Sequence, residues 1–508
     1  MSGWLIIRTW YYNQGRKFYN FNHTGVTCRM DSLKRTLLLF AVIIIEGYVV
    51  LATELLAIRQ TIAYVGSGTD TVSIIIAAVL MPLAFGYFRG GLFKPFYWRG
   101  RLIGIREKLI LNIMISMAIL IIGMSYISMN IFFHALIEMG YKHRLFLTAL
   151  YAGIFLVTPV YLLGQTIPLV SNYFSKEKLS RITGRILFFS TIGSFMGAVF
   201  STLVLMSTVG VHNTVSLNIV LLAILVVLLA KKKFSEKVVY AFAMAAAGIL
   251  LNSDYVMAAH NIVDNNKYNM VMVFPDRSKN GDIHMSLNHM GSSMYNPETG
   301  AKHTYIEFAE RQLIDPIPMD TEPKDFLVVG AGAFTFGLED EFNNYDFVDI
   351  DGSLKNIAEE YVLGRELTKN KHFIPMEARA YFMSTEKKYD VIFLDAYLGG
   401  ITVPEHLVTA DFYKQVKDHL KERGIVAMNF IASPSFSTPF SRHLDNTVRS
   451  VFPHVSRHAI MENYDIWEDD PQKNENIIYL YRRHEGENAK EIYTDNRNRI
   501  FYDKPQKY

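Results

Sequence analysis

Four short stretches hold residues whose types and spacing suit chemistry on a nucleoside. The first is FLVVGAGAFTFG, Phe326 to Gly337, an apolar run ending in Gly330-Ala331-Gly332-Ala333. Glycine permits a sharp turn and lets the backbone approach a ligand closely. A hydride-transfer fingerprint has a third glycine where this chain has Thr335, so the turn alone selects no nucleotide. The second stretch, YDFVDID, ends in Asp349 and Asp351. An acid about 20 residues after the first glycine suits the diol of a ribose, and Asp351 or Ser353 would equally serve as a helix N-cap. The third is Glu377-Ala378-Arg379, where a carboxylate can accept a hydrogen bond from an exocyclic adenine amine. The fourth, YDVIFLDAY, ends in Asp395-Ala396-Tyr397. Glycines, acid, acid and acid at successive strand ends together specify an adenosyl ligand.

The elements that must position these groups follow from the hydropathy pattern. After Pro323, strand-length apolar runs alternate with helical ones. FLVVG, YDFVDID, KHFIPM, YDVIFLDAY and IVAMNFI read as strands; FGLEDEF, SLKNIAEEYVLG and DFYKQVKDHLKERG read as helices, the last two closed by Gly364 and Gly424. This alternation predicts a mostly parallel, doubly wound sheet with its ligand at the carboxyl ends of the strands. Ahead of it, KYNMVMVF and DIHMSLNHM alternate with period two, as a small antiparallel sheet does, and HTYIEFAERQLI follows as a helix. The expected divisions are 262–322 for this β-subdomain and its helix, and 323–508 for the doubly wound domain.

The first half has a different solvent. The 508-residue chain is 50% hydrophobic with mean hydropathy +0.14, and the apolar runs are concentrated in 36–252. A crossing helix needs about 20 apolar residues. Spans are expected near 36–58, 70–88, 109–133, 145–170, 186–208 and 211–230, with a shorter run from Val238 to Leu251 that either crosses or lies at the interface. Residues 1–35 form a basic arm, and MDSLKRTLLLF from Met30 reads as a natural start of the membrane domain. Lys and Arg crowd the arm, the loop after the second span, the loop after the fourth and Lys231-Lys232-Lys233. The positive-inside rule therefore predicts a cytoplasmic N-terminus in a multi-pass protein of the cell (inner) membrane. Glu46 and Glu54 lie within the first span. Glu46 is expected to face a partner or water-filled cavity, and Glu54 to reach the interface beside Arg59. Gly193 and Gly197 form a small-residue pair suited to tight helix packing. Gln165 and Pro168 suggest a kink late in the fourth span.

In order, VVGAGA, FVDID, MEARAYF, YDVIFLDAY and TADFYKQVKDHLKERGIVAMNF resemble the spermidine synthase family of aminopropyltransferases. His303-Thr304-Tyr305-Ile306-Glu307 looks like that family's Tyr-x-Glu helix, and Tyr493-Thr494-Asp495 like its C-terminal end. ELLAIRQ, GQTIPLV, GRILFFSTIGSFMGAVF and VPEHLVT are similar to membrane-fused members. The resemblance implies a multi-span α-helical membrane domain plus an α/β Rossmann-like (class I methyltransferase/spermidine synthase-like) domain with a small antiparallel β-subdomain. It implies decarboxylated S-adenosylmethionine as co-substrate, or S-adenosylmethionine if the chain is a methyltransferase, and an amine acceptor. Gly330, Gly332, Asp349, Asp351, Glu377 and Ala378 would hold the nucleoside, and Asp395 would orient and deprotonate the amine. Tyr305, Tyr397 and Glu405 are candidates for the wall around the cationic acceptor, although packing would use them equally well. Two positions depart from the family: Ala333 and Leu398 stand where it has acids. A non-catalytic adenosyl-binding domain coupled to a transporter-like membrane domain is the other reading.

The remaining features are negative. Cys28 is the one cysteine, which excludes a disulfide framework. His443, His454 and His458 lack a ligand pattern, so no metal is expected. A net charge of +3 gives no argument for nucleic acid. ENYDIWEDDPQKNEN reads as a solvated acidic loop. The lipid bilayer is the expected partner, with a homodimer left open.

Overall fold

The computed structural model describes residues 25–172, 179–232, 235–275, 281–318, 322–397, 403–460, 474–483, 493–495 and 500. Residues 1–24 of the basic arm, Leu398 and the acidic stretch 461–473 lie outside them.

The apolar half is a helical bundle. Thr36–Val65, Thr69–Gly91, Ile105–Met124, Ile182–Thr208, Gly210–Leu229 and Glu236–Ala259 are each long and apolar enough to cross a membrane. The bent pair Arg144–Phe155 and Val157–Ser171 makes a seventh segment. The run from Val238 to Leu251 thus belongs to a 24-residue segment of crossing length. The expected third span to residue 133 is broken at Ser125, which adopts ψ 136°. The Ser125 hydroxyl donates to Ile121 O at 2.6 Å and accepts from Asn252 Nδ2 at 3.2 Å, a side chain competing with the helical ladder. The fourth segment bends by 42° at Leu156, near Pro159, which cannot donate to the carbonyl one turn before it, and its helix is interrupted again at Gln165, three residues before Pro168. Gly193 and Gly197 do pack tightly. A Cβ on either would lie 2.2 Å from Ile44 O or Tyr48 O.

Successive segments alternate in direction, so residues 59–70, 124–144, 208–212 and 252–260 gather at one end of the bundle. Residues 89–108, 229–232 and 235–237 gather at the other, with the hairpin β1 (Phe96–Trp98) and β2 (Arg101–Ile103). An Arg144–Asp70 pair at 2.5 Å ties the first end, and a Lys231–Glu107 pair at 3.0 Å ties the second. The soluble half sits on the first end. Arg59 Nε donates to Asn266 O at 2.8 Å, and the His289 ring lies 4.8 Å from that of Tyr64. Arg59, expected beside Glu54 at the interface, is buried and turned toward this junction; Glu46 and Glu54 are buried in the bundle.

The β-subdomain is a four-stranded antiparallel meander: β3 (Ile262–Asn265), β4 (Met270–Pro275), β5 (Ile283–Leu287) and β6 (Met290–Tyr295). The helix Thr304–Leu313 follows. The main sheet contains β7 (Asp325–Val329), β8 (Asn344–Asp349), β9 (Lys371–Pro375), β10 (Tyr389–Leu394), β11 (Leu420–Ala432), β12 (Ser456–Ile460) and β13 (Glu475–Arg482), in the order β12-β13-β11-β10-β7-β8-β9. The five strands from β11 to β9 are parallel; β13 runs antiparallel to β11, and the edge strand β12 antiparallel to β13. The chain winds from β7 through β8 to β9, then crosses back to β10 and β11. The switch point lies between β7 and β10, where ligands bind in such sheets.

Two expected helices are corrected. FGLEDEF is a series of turns. Phe334 and Gly337 have φ of 57° and 65°, outside the helical region, while Phe334 and Phe336 are buried against Phe347 and Phe393. The helix from Ala410 ends at Asp418 rather than at Gly424. Leu420 is fully buried and already pairs with Tyr389 in the sheet, so burial of one leucine outweighs helical periodicity.

Candidate active site

Adjacent parallel strands place Gly330 and Asp395 against each other at the switch point. The amide of Asp395 donates to Val329 O at 2.8 Å. Gly330 adopts φ 92°, and a Cβ there would lie 2.2 Å from the Asp395 carbonyl oxygen. Only glycine meets both conditions. A cavity of about 190 Å³ opens at this point, lined by Gly330, Gly332, Asp349, Glu377, Ala378 and Asp395. Tyr305 and Tyr397 also line it. Of the residues singled out in the sequence, Asp351 and Glu405 are not on this lining. Asp351 is buried, its amide on Asp349, and Pro404 and His406, which flank Glu405 in the chain, bring the 403–407 segment to the cavity.

At the ribose-type position, Asp349 Oδ2 accepts from Ala331 N at 2.9 Å and Oδ1 from Asp351 N at 3.0 Å. The acid is thereby fixed to the glycine turn. Burial pushes the Asp349 carboxyl up to about 6, against the opposing effect of these amide donors. Glu377 occupies the N-cap of the helix Ala378–Ser384, accepting from Arg379 N at 3.0 Å and Ala380 N at 2.7 Å. His406 Nε2 lies 2.9 Å from its Oε1. Burial raises the Glu377 carboxyl, but these donors outweigh it and hold it below the usual carboxylate range.

Asp395 sits between two neutral donors. Asn429 Nδ2 reaches its Oδ1 at 2.8 Å, and the Tyr305 hydroxyl donates to Oδ2 at 3.0 Å. Burial pushes the Asp395 carboxyl up to about 7; the bonds from Asn429 and Tyr305, and the nearby His303, temper the rise. A carboxyl poised there can accept a proton at neutral pH. Tyr397 is committed elsewhere: its hydroxyl donates to Asn429 O at 3.1 Å and accepts from Ile431 N at 3.0 Å. The β-subdomain closes one wall, with Ser293 Oγ accepting from Ala333 N at 3.0 Å. Ala333 itself is fully buried.

Sequence reading missed His303, Asn429, His406 and Ser293. Asn429 had a signal, being the one polar residue within IVAMNFI, near a strand's carboxyl end. His406 and Ser293 carried none, because their roles depend on contacts between distant segments. Among the described residues no His, Cys, Asp and Glu cluster could hold a metal ion.

Residues 307–462 match the sequence profile of the spermine/spermidine synthase domain. A polyamine aminopropyltransferase of Vibrio vulnificus is 30% identical over 159 residues, 30% of this chain and 50% of that protein. One from Alkaliphilus oremlandii is 33% identical over 141 residues, 26% of this chain and 49% of the relative. The chain therefore spans about half the length of these relatives. The spermidine synthase structure of Thermotoga maritima aligns with TM-score 0.34 at 16% identity, covering 43% of this chain and 71% of that one. The matched residues hold strands β7 to β12 and Gly330, Asp349, Glu377 and Asp395 of the cavity, whereas β13, the β-subdomain with Ser293, Tyr305 and the helical bundle lie outside them.

Proposed function

We propose that this chain is a membrane-bound aminopropyltransferase, moving an aminopropyl group from decarboxylated S-adenosylmethionine to an amine acceptor. One observation carries the reading: Gly330, Asp349, Glu377 and Asp395 converge on a single cavity at the switch point. Asp349 would hold the ribose hydroxyls and Glu377 the adenine amine, leaving Asp395 beside the transferable chain. The acceptor nitrogen attacks the carbon attached to the sulfonium. A C–N bond forms, the C–S bond breaks, and its electron pair stays on sulfur, giving neutral methylthioadenosine. The amine's proton passes to Asp395 and then to water. The leaving group needs no acid, so alignment of nitrogen, carbon and sulfur supplies much of the acceleration. Incubating the purified full-length protein with decarboxylated S-adenosylmethionine and a panel of amines should release methylthioadenosine. Its absence with every amine would refute transfer.

A second reading is favoured by the acceptor side of the cavity and by orientation. Both Asp395 oxygens already accept hydrogen bonds, and Ala333 is buried where the resembled family has an acid. Arg89, Lys94, Arg99, Arg101, Arg106 and Lys108 lie with Lys231 and Lys232 at the end of the bundle away from the synthase domain. On the positive-inside rule the N-terminus is cytoplasmic, and the synthase domain faces the opposite side. A nucleoside pool on that side is then required, and a non-catalytic adenosyl-binding module working with the bundle becomes the alternative. Alkaline phosphatase fused after Tyr508 should be active in intact cells; an inactive fusion, with a fluorescent protein bright at the same site, would reverse the orientation.

A further inference from the structure

The cavity's acids are wired to the first membrane segment. Asp351 is buried, and the donors that reach its carboxylate are neutral: Asn266 Nδ2 at 2.9 and 3.0 Å, Asn269 Nδ2 at 2.9 Å and Ser353 Oγ at 2.7 Å. A buried carboxylate met, among the described residues, by amides and a hydroxyl needs a cation further off to offset its charge. The cation lies one residue further on. Arg59, 6% exposed, donates through Nε to the Asn266 carbonyl at 2.8 Å and through Nη2 to Asn265 Oδ1 at 3.5 Å. Its charge interacts with those of Asp351 and Asp264.

Asn266 has no spare polar group. Its Oδ1 accepts from Tyr268 N at 2.7 Å and Asn269 N at 3.0 Å, and its Nδ2 also reaches Asp264 Oδ2 at 2.8 Å. Asn288 Nδ2 buttresses Asn269 Oδ1 at 3.0 Å. A fully satisfied network of this kind is stiff. From Asp351 the path continues through its amide to Asp349 Oδ1, and from Asp349 Oδ2 to Ala331 in the glycine turn. Every link from the membrane helix to the cavity wall is a direct contact.

We infer that Arg59 is a positioning residue for the nucleoside site, holding the Asp349–Asp351 turn in its binding geometry from within the membrane domain through Asn266. This rests on reading the cavity as an adenosyl site. The coupling is reciprocal: a nucleoside held by Asp349 biases the helix Thr36–Val65, and a shift of that helix changes nucleoside affinity.

The test is calorimetry of methylthioadenosine binding to the full-length protein in detergent. Arg59→Gln should weaken binding at least tenfold, while Arg59→Lys, which keeps the charge, stays within threefold of the parent. Arg59→Gln/Asp351→Asn, which removes both charges, should bind more tightly than Arg59→Gln alone. A helix that merely stabilised the fold would lower the unfolding temperature of Arg59→Gln without changing affinity in the folded range; that result, with the parent binding normally, overturns the inference and leaves the site reading intact. Should Arg59→Gln fail to fold, Asp351→Asn is compared with the double variant. Equal affinities within twofold support the relay, and a further tenfold loss in the double overturns it. A parent that binds no methylthioadenosine overturns the inference together with the site reading beneath it.

Discussion

The two ends of the cavity are built on different terms. At the nucleoside end, both acids are clamped by backbone amides: Asp349 by Ala331 and Asp351, Glu377 by Arg379 and Ala380. Main-chain donors hold a carboxylate in place whatever the neighbouring side chains become. At the acceptor end, Asp395 is held by the side chains of Asn429 and Tyr305, and the acids at 333 and 398 of the resembled family are absent. The nucleoside end is thus a feature of the backbone fold, while the acceptor end rests on replaceable side chains. On the proposed reading, recognition of the nucleoside and choice of acceptor are therefore separable.

The strongest challenge to that separation is Gly330→Ala, because both ends meet there. With a Cβ 2.2 Å from the Asp395 carbonyl and an unfavourable φ, the substitution should cost on the order of 4 kcal/mol and abolish methylthioadenosine binding. Thermal unfolding and calorimetry of the purified variant measure both; retained binding would mean the ends do not meet at this turn. Next in size is Asp395→Asn. Loss of a general base costs about 10³-fold in turnover, whereas methylthioadenosine affinity should change less than threefold. With the Asp395 carboxyl near 7, turnover of nucleoside-saturated protein should fall as the pH drops below 7, where the carboxyl is protonated and cannot accept. A pH-independent rate between 6 and 8 would remove Asp395 from that role.

Asp349→Asn should lower methylthioadenosine affinity about a hundredfold, as expected for losing a charged acceptor of two hydroxyls. Because this carboxyl lies near 6 and Glu377 is held below the usual range, affinity should decline between pH 7 and 5 in the parent and stay flat in Asp349→Asn. A decline of equal size in both would assign the titration elsewhere. The smallest effect is expected from Glu377→Ala, about tenfold in affinity, together with a lower unfolding temperature from the lost N-cap; an unchanged affinity would remove the adenine contact.

The sequence displayed the five parallel strands because they hold short apolar runs bounded by glycine or acid, whereas the antiparallel additions β12 and β13 were not legible in it. Helix limits were less legible. Phe334 and Phe336 and the buried Leu420 are placed by partners far along the chain, which local periodicity does not encode. The same limit hid Asn429's hold on Asp395, since that pair lies on neighbouring strands. The DNNKYN stretch, Asp264 to Asn269, carries no local mark of a contact site, and its last three residues open the period-two run KYNMVMVF. The contacts that bridge Arg59 and Asp351 through Asn266 become visible only once the two approach it from opposite sides.

The glycine seam between Thr36–Val65 and Leu179–Phe200 adds a mechanical corollary. With Gly193 and Gly197 laid directly on the carbonyls of Ile44 and Tyr48, no flexible side chain cushions the contact. The two helices must travel as one rod, so whatever pushes on the second has leverage on the first, about three to four turns before its guanidinium reaches the asparagine turn.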